Sequence, residues 1–414
     1  MKILQINIIF YKFKGTQSIN KEIIYKIHNF GSIKMTNSVH KPWVEINLPY
    51  LKNNIRIVKD IIGSCKEIIA VVKADAYGHG AVTIANYMAR YGAAKLAVAT
   101  AEEGIKLRLG GVKSPIIILG SIPLEEAEQV VGYNLTPMIA TQALAERFNA
   151  IGKEKQRNIK FHIRVDIGLG TVGVAYQHAY RTIKLITDQY QWLKIEGLFT
   201  HLASTYGDDE ELVNKDLEKF NSLISNLNNS GIHIPMIHAA SSPATLKYPQ
   251  AHFNTVRIGT CLYGLPSFKN QPEIGLKSIM QLKARITDIK ELSNGQHLGY
   301  GNEVLVSKSG RIATVSIGYS NALFLVHMKS GEVLIRNQRT PLICSPFMGH
   351  ILVDITNIPD ASIGDEVVIF GEQGEEKITV SEVAKRAGIS VTNCESVCFL
   401  RDSLPESILQ EGIG

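Results

Sequence analysis

A lysine between an apolar run and a glycine-rich turn is the residue of this sequence best suited to covalent chemistry. Ile68–Val72 predicts a buried strand, and Lys73 follows it directly. Tyr77 and a Gly-His-Gly turn come next, and Ala81–Arg90 has the pattern of a helix. Side chains at the carboxyl ends of parallel strands point into the mouth where α/β enzymes place their chemistry. A desolvated lysine there can lose its proton and attack a carbonyl carbon.

The elements that must position this lysine are short apolar runs alternating with helical patterns. The strand candidates are Ile68–Lys73, Lys95–Thr100, Pro115–Gly120, Leu135–Ile139, Lys160–Asp166, Lys194–His201, Pro235–Ala239 and Thr255–Gly259. The stretches between them include Ala101–Leu109, Leu124–Val131, Thr141–Ile151 and Glu210–Asn228. Eight strands, none clearly antiparallel, favour a closed (β/α)8 TIM-type barrel at residues 35–275. An open doubly wound sheet is the alternative, but the strand count and the absence of a G-x-G-x-x-G turn argue against it.

A change of pattern after Leu265 predicts a second domain. Helical periodicity fades, and β-rich runs follow at Gln281–Ile289, Arg311–Ile317, Gly331–Ile335, Ile351–Ile355 and Glu366–Phe370. The predicted fold class is therefore α/β, with an N-terminal barrel followed by a mostly-β domain at 276–414. Trp43–Asn47, ahead of the barrel, is a candidate strand for pairing with that second domain.

The composition is that of an ordinary globular chain. Of the 414 residues 45% are hydrophobic and 20% charged. No apolar run approaches the roughly 18 residues that span a bilayer. The net charge of +6 is concentrated in residues 1–34, which hold six lysines against one acid, so the remainder is close to neutral. We therefore predict no nucleic-acid, membrane or metal site.

Residues 1–34 lack the features of a targeting signal. Their apolar stretch is interrupted by Gln5 and Asn7, no small-residue cleavage site follows, and the arginines of a transit peptide are missing. We expect a poorly ordered extension or an overextended gene start. The five cysteines form no CxxC pair, which fits reduced thiols in a cytoplasm.

The segment Ala70–Gly80 resembles a known motif. It reads A-V-V-K-A-D-A-Y-G-H-G and is similar to the pyridoxal-phosphate lysine motif of alanine racemases. The resemblance extends from about Trp43 to Pro405 and includes the order of barrel and β domain. It implies that Lys73 binds pyridoxal 5′-phosphate covalently and then serves as one of two acid/base groups. It also implies a homodimer with composite active sites, because the family takes its second base from the partner subunit.

That second base corresponds to Tyr300, in a Gly-Tyr-Gly sequence. Racemisation removes a proton from one face of Cα and delivers another to the opposite face, so two bases are needed. Tyrosine is ordinarily a weak base near neutral pH, and the family supports it through a hydrogen-bonded chain of histidine and arginine. His201 in G-L-F-T-H, His238 in H-A-A-S-S and Arg257 in V-R-I-G-T resemble the family sequences for such residues.

The resemblance gives Arg257 a specific role beside the pyridine nitrogen of the cofactor. Arginine is a permanent donor, so the ring nitrogen stays largely unprotonated and the cofactor is a weaker electron sink. A weaker sink favours simple reprotonation at Cα. Matches to the family's phosphate contacts are Tyr77, Ser242, Gly259 and Thr260, and barrel enzymes commonly bind phosphate after strands seven and eight.

The substrate site both matches and departs from the family. Met348 falls where the family contacts substrate through its backbone, and Tyr319 matches a tyrosine near the entrance. The family's strand-five lysine, often carbamylated, is Arg164 here, and the arginine that meets the substrate carboxylate is Thr171. One hypothesis is that Arg164 itself supplies that cation. A tyrosine that reaches the phosphate in the family is replaced by Ile408.

The resulting prediction is a pyridoxal-phosphate-dependent isomerase that interconverts L-alanine and D-alanine, supplying D-alanine for peptidoglycan in a bacterial cytoplasm. Two alternatives stay open: a racemase of another amino acid such as serine, and a cofactor-binding paralogue with weak racemase activity. Retention of both Lys73 and Tyr300 argues against the paralogue. Arg257 argues against a decarboxylase, whose cofactor nitrogen needs an acid partner.

Overall fold

Parallel strands form a barrel in the first half of the chain. The computed structural model describes residues 41–64, 66–207, 209–268, 271–328, 331–389 and 406–409, so the predicted extension at 1–34 lies outside the described residues. After β1 (Trp43–Asn47), the strands are β2 (Glu67–Val71), β3 (Lys95–Val98), β4 (Ile116–Ile118), β5 (Ile159–Asp166), β6 (Val174–Ala175), β7 (Leu193–Phe199), β8 (Met236–His238) and β9 (Thr255–Ile258). Parallel pairing runs in the order β4-β3-β2-β9 in one sheet and β6-β5-β7-β8 in another.

The two sheets meet at the segment predicted as a strand over Leu135–Ile139. That prediction is wrong in detail, because the segment forms only two isolated parallel bridges, at Thr136 and Met138. Pro137 lies between them and has no N–H to give to a ladder. Its carbonyl still accepts a hydrogen bond from His162 N at 3.0 Å. The segment therefore joins the sheets without being a regular strand.

Helices alternate with the barrel strands. They span Leu48–Ile62, Ala81–Tyr91, Ala101–Leu109, Ala127–Gly132, Gln142–Glu154, Tyr176–Gln189, Glu210–Asn229 and Ser242–Lys247. Local capping explains where several begin: Asn47 Oδ1 accepts a hydrogen bond from Tyr50 N at 3.0 Å, and Thr100 Oγ1 accepts from Glu103 N at 3.3 Å. None of the helices in the described ranges is both long enough and apolar enough to cross a bilayer.

The second half of the chain is mostly β-structure. Its elements are β10 (Met280–Leu292), β11 (His297–Leu298), β12 (Val304–Leu305), β13 (Gly310–Val315), β14 (Glu332–Ile335), β15 (Gln338–Pro341), β16 (Ile351–Asp354), β17 (Glu366–Gln373), β18 (Glu376–Ile378), a helix at Val380–Arg386, and β19 (Glu406–Leu409). The main sheet runs β15-β14-β17-β10-β1-β19. β1 pairs antiparallel with β10 and parallel with β19, so Trp43–Asn47 belongs to this sheet.

One apolar core connects the two halves. Buried residues of β1 (Val44, Ile46), of the barrel (Ile69, Leu96) and of the second sheet (Leu282) belong to the same cluster. Burial of this surface is the main stabilising contribution to the fold. Because this core stabilises the fold, polar side chains can be placed at the mouth of the barrel.

Candidate functional site

The carboxyl ends of the barrel strands surround a cavity of about 420 Å³. The barrel residues predicted to contact cofactor or substrate all line this cavity, namely Lys73, Tyr77, Arg164, His201, Ser242, Arg257, Gly259 and Thr260. His238, predicted for the supporting hydrogen-bond chain, does not line it and instead contacts Arg257. Residues that come from different strands and from positions far apart in the sequence thus meet at one end of the barrel, which is where such folds place their active sites.

Lys73 opens a backbone segment of unusual conformation. The predicted strand Ile68–Lys73 ends earlier, at Val71, and the following Ala74–Tyr77 all have φ between 52° and 56°. Left-handed backbone costs about 1–2 kcal/mol for each residue with a side chain. Such strain persists only where surrounding structure fixes it, and it is concentrated at functional sites. The strained residues directly follow Lys73, so the fold holds the segment next to this lysine at some cost.

Glu103 is one of the groups that hold this turn. Its Oε1 accepts a hydrogen bond from Ala74 N at 2.7 Å, and its Oε2 accepts from Ala99 N at 2.7 Å. Glu103 was not among the predicted site residues. The T-x-x-E spacing from Thr100 is a capping-box signature and could have drawn attention to it. The sequence gives no sign, however, that the carboxylate would reach across to the residue after Lys73.

Arg257 lies in the wall of the cavity, only 4% exposed. Its Nη1 donates to His238 Nδ1 at 3.0 Å, and its Nη2 donates to Thr200 O at 3.0 Å and to His201 Nδ1 at 3.2 Å. The ring of Phe199 lies 5.3 Å from the guanidinium carbon. Burial lowers the pKa of Arg257 to about 10, so the group is still a cation at neutral pH. These partners fix the guanidinium in one orientation.

His201 is held as a neutral imidazole. Burial, reinforced by the charges of Arg257, Arg164 and Lys73, lowers the pKa of His201 to about 3. Because arginine can only donate, the Nδ1 atom facing Arg257 must accept. The single proton of the neutral ring is therefore on Nε2, where it is available to a further acceptor.

The low pKa of His201 makes the stability of the fold depend on pH. The unfolded chain binds a proton at this histidine below pH 6.5 and the folded chain does not, so folding is disfavoured as the pH falls. We expect His201 to contribute a loss of about 1.4 kcal/mol in the free energy of unfolding for each pH unit below 6.5, down toward its folded pKa. Urea unfolding at fixed protein and cofactor concentration, from pH 7.5 to 5, measures this. In the variant His201→Gln, the free energy of unfolding should fall less steeply as the pH decreases, by the slope that one proton contributes. Equal slopes in the two proteins would contradict the neutral state assigned to His201.

Small donors line the part of the cavity that follows β8 and β9. Ser242 Oγ accepts hydrogen bonds from Gly259 N at 3.1 Å and from Cys261 N at 3.3 Å. The buried Ser241 Oγ has no hydrogen-bond partner among the described residues. A β-carbon on Gly259 would lie 2.4 Å from Tyr77 Oη, so glycine keeps this space open. The hydroxyls of Ser241 and Ser242 can each donate to an anionic group.

Arg164 is the second guanidinium of the cavity. Its Nη2 donates to Thr171 Oγ1 at 3.0 Å, while its buried Nε has no partner within the described part of the chain. Thr171 is carried by a loop that Asp166 anchors, since the Asp166 carboxylate accepts from the backbone N–H of residues 168–170. Burial lowers the pKa of Arg164, opposed by the charge of Asp166. Two of the positions at which this sequence departs from the motif that it resembles, Arg164 and Thr171, are thus joined by a hydrogen bond.

The structure does not bring Tyr300 and Met348 to this cavity within one chain. Both belong to the second half of the chain, where Tyr300 is 83% exposed and Met348 63% exposed. The rings of Tyr300 and Phe347 lie 5.2 Å apart. Ile408 is in β19, opposite Ile46, and packs against the core. In the described residues, no group of three or more His, Cys, Asp or Glu side chains is placed to hold a metal ion.

Comparison with known proteins gives a consistent result over most of the chain. Residues 46–267 match the family described as "Alanine racemase, N-terminal domain", and residues 279–408 match "Alanine racemase, C-terminal domain". The curated alanine racemase of Halothermothrix orenii is 35% identical over 90% of this chain and 98% of its own length. That of Methanococcus maripaludis is 33% identical over 89% of this chain and 99% of its own.

Solved structures agree with these sequence matches. An alanine racemase from Clostridium difficile 630 is 30% identical with a TM-score of 0.80, covering 89% of this chain and 95% of that one. One from Bacillus anthracis with bound L-Ala-P is 28% identical with a TM-score of 0.80, covering 90% and 96%. A histidine racemase from Leuconostoc mesenteroides, 23% identical with a TM-score of 0.80 and covering 90% and 98%, shares the fold.

Proposed function

This chain belongs to the alanine racemase family, an isomerase family that depends on pyridoxal 5′-phosphate, and we propose that its reaction uses Lys73 and Tyr300 as opposed bases. The observation that supports the role of Lys73 most strongly is the meeting of Lys73, Arg257 and Ser242 around one cavity. The activity is the interconversion of L-alanine and D-alanine.

The cavity fits the cofactor. The hydroxyl of Ser241, buried without a partner among the described residues, and the space that Gly259 leaves open beside Tyr77 suit a phosphate group. Backbone and hydroxyl donors are common in phosphate sites of barrel enzymes. Lys73 supplies the amine for covalent attachment, and Arg257 supplies a donor for the pyridine nitrogen. When bound, pyridoxal 5′-phosphate withdraws electrons from Cα and so makes its proton removable.

The chain's own residues then exchange the proton. Lys73 holds or delivers a proton at Nζ on one face of the substrate, and Tyr300 of the partner subunit does so at its hydroxyl on the other. Positioned acid and base groups of this kind each contribute about 10²–10⁴-fold to rate. His201, with its proton on Nε2, can donate to a phenolic oxygen and so stabilise the tyrosine in its basic form. Arg257 fixes His201 in that tautomer.

Tyr300 can serve this role only from a second chain, so we propose a homodimer with two composite sites. Tyr300 and Phe347 form an aromatic cluster, and both Tyr300 and Met348, which follows Phe347 in the sequence, are highly exposed. Exposed apolar clusters on otherwise polar surfaces mark interaction sites. A two-fold arrangement would bring this cluster from each subunit over the barrel mouth of the other.

We assign the substrate carboxylate to Arg164. Its guanidinium lines the cavity with Lys73, and its Nε has no partner among the described residues. Hydrogen bonds to charged groups are worth about 1.5–3 kcal/mol. We expect Arg164→Ala to raise KM for alanine about 10- to 100-fold, and Arg164→Lys to recover part of the loss. Thr171→Val, which removes only the partner hydroxyl, is the matched control and should change KM by no more than about threefold. Unchanged KM and kcat in Arg164→Ala would contradict the assignment.

The wider role that we propose is supply of D-alanine for peptidoglycan in a bacterial cytoplasm. Arg164 and Thr171 differ from the family motif and lie where the substrate carboxylate is expected. A second candidate substrate is therefore another amino acid, such as serine. The test is a racemisation assay over a panel of L-amino acids with the cofactor-loaded protein. Alanine should have the highest kcat/KM, and the control variants Lys73→Ala and Tyr300→Phe should each lower it by at least about 100-fold. A higher value for serine would assign the second substrate.

A further inference from the structure

We propose that Glu196 is a positioning residue for the active site, acting through a one-directional hydrogen-bond chain that runs from Arg257 through His238 and His162. The chain crosses the barrel interior from the cavity wall toward the opposite end of the strands. Its catalytic consequence rests on the proposed function, whereas its geometry does not.

Three hydrogen bonds form the chain. Arg257 Nη1 lies 3.0 Å from His238 Nδ1, and His238 Nε2 lies 3.0 Å from His162 Nδ1. His162 Nε2 then lies 3.4 Å from Glu196 Oε2. Both imidazoles are fully buried. No surface water is needed to complete any of these contacts.

The direction of the chain follows from the donor at one end and the acceptor at the other. Arginine has only donors, so His238 Nδ1 must accept, and a neutral His238 must then carry its proton on Nε2. That proton can be donated only if His162 Nδ1 accepts, which places the His162 proton on Nε2, facing Glu196. A carboxylate has only acceptors, so the chain ends there without conflict. Protonation of either ring would set two donors face to face.

The surroundings keep the rings in this arrangement. Burial lowers the pKa of both His162 and His238, so both are neutral near pH 7. Phe199 stacks on His238 with ring centroids 4.7 Å apart and planes within 9°. A β-carbon on Gly197 would come within 2.3 Å of the His162 ring, so glycine is what makes room for it.

Glu196 is itself fixed by two lysines. Its Oε2 accepts from Lys95 Nζ at 3.1 Å and its Oε1 from Lys160 Nζ at 3.1 Å. The hydrogen bond from His162, together with these cations, holds the pKa of Glu196 well below its usual range. The carboxylate is therefore a permanent acceptor. Without an acceptor at this end, His162 can place its proton on Nδ1. That proton would oppose the one on His238 Nε2, and a shift of the His238 proton to Nδ1 would remove the acceptor of Arg257 Nη1.

The experiment compares Glu196→Met, Glu196→Gln and Lys160→Met in the holoenzyme. Methionine removes the acceptor, glutamine keeps an acceptor oxygen but removes the charge, and Lys160→Met breaks an ion pair while leaving the carboxylate. Nitrogen-15 NMR of histidine-labelled protein reports the tautomers of His162 and His238, and racemisation of L-alanine reports kcat and KM separately. Thermal unfolding identifies any variant that fails to fold.

In the parent protein we expect both rings to be protonated at Nε2 only. Glu196→Met should give mixed tautomers and lower kcat about tenfold with KM within about twofold, whereas Glu196→Gln and Lys160→Met should retain the parent tautomers and most of kcat. Unchanged tautomers in Glu196→Met, or an equal loss of kcat in Glu196→Gln, would overturn the proposal. An inactive parent protein with the expected tautomers would instead contradict the proposed function. If Glu196→Met does not fold, a Glu196→Gln spectrum with altered tautomers decides against the chain.

Discussion

Replacing Lys73 with alanine is expected to lower kcat for L-alanine by about 10³-fold or more, because the change removes both the amine that attaches the cofactor and one of the two bases. Reduction with borohydride followed by mass spectrometry should place the cofactor on Lys73 in the parent protein and find no attachment at this position in the variant. Because activity and attachment are measured independently, the experiment tests the roles of Lys73 as a base and as the cofactor-binding residue separately.

Lys106→Ala is the matched control for that variant. Lys106 is exposed, and its Nζ lies 4.0 Å from Asp75 Oδ1, on the same turn that Lys73 opens. An exposed ion pair contributes little to stability, so the control should retain parent activity and cofactor attachment. If Lys73→Ala kept more than about a tenth of the parent kcat, or if the cofactor were attached at another lysine, Lys73 would not be the cofactor residue.

Tyr300→Phe is expected to lower kcat by about 10²–10⁴-fold with little change in thermal stability. Phenylalanine retains the ring that packs near Phe347 and removes only the hydroxyl, and the side chain is 83% exposed within one chain. Steady-state racemisation in both directions, together with thermal unfolding, measures the two effects. A variant with parent activity in both directions would exclude Tyr300 as a base.

Tyr180→Phe is the control for a lost tyrosine hydroxyl. Tyr180 Oη and Ser230 Oγ form a hydrogen bond of 2.7 Å, between the helix Tyr176–Gln189 and the residue after the helix Glu210–Asn229, and neither helix lines the cavity. This variant should keep the parent kcat. A comparable loss in Tyr180→Phe would mean that activity responds to a general weakening of the fold, and the loss in Tyr300→Phe would then carry no mechanistic meaning.

The outline of this site could be predicted because its residues come at the ends of strands. Lys73 and Ser242 follow short apolar runs and Arg257 lies near the end of one, and parallel strands bring such positions to one end of a barrel. The alternation of strands and helices and the change of pattern after Leu265 likewise reflect local periodicity. The fold class was confirmed by the family matches and the solved structures.

The supporting contacts could not be predicted, because they depend on tertiary structure. Four successive left-handed residues after Lys73 run against the preference of alanine and tyrosine, and only contacts such as that from Glu103 explain them. His162 and Glu196 read as ordinary residues in predicted strands, and their link to Arg257 appears only when β5, β7 and β9 close together. Pro137 is unfavourable in a regular strand, but the apolar residues around it led to a strand prediction over Leu135–Ile139.

The two-base role of Lys73 and Tyr300 at a site shared by two subunits is tested most directly by mixing Lys73→Ala and Tyr300→Phe subunits. In a mixed dimer one site carries both changes and the other carries neither. With equal co-expression about half of the dimers are mixed, so about a quarter of all sites are intact. The kcat should therefore reach about a quarter of the value of the unsubstituted protein, although each variant alone has almost no activity. Size measurement of the mixed species confirms the dimer. A mixture with no more activity than its parents, despite proven mixed dimers, would contradict a site built from Lys73 of one chain and Tyr300 of the other.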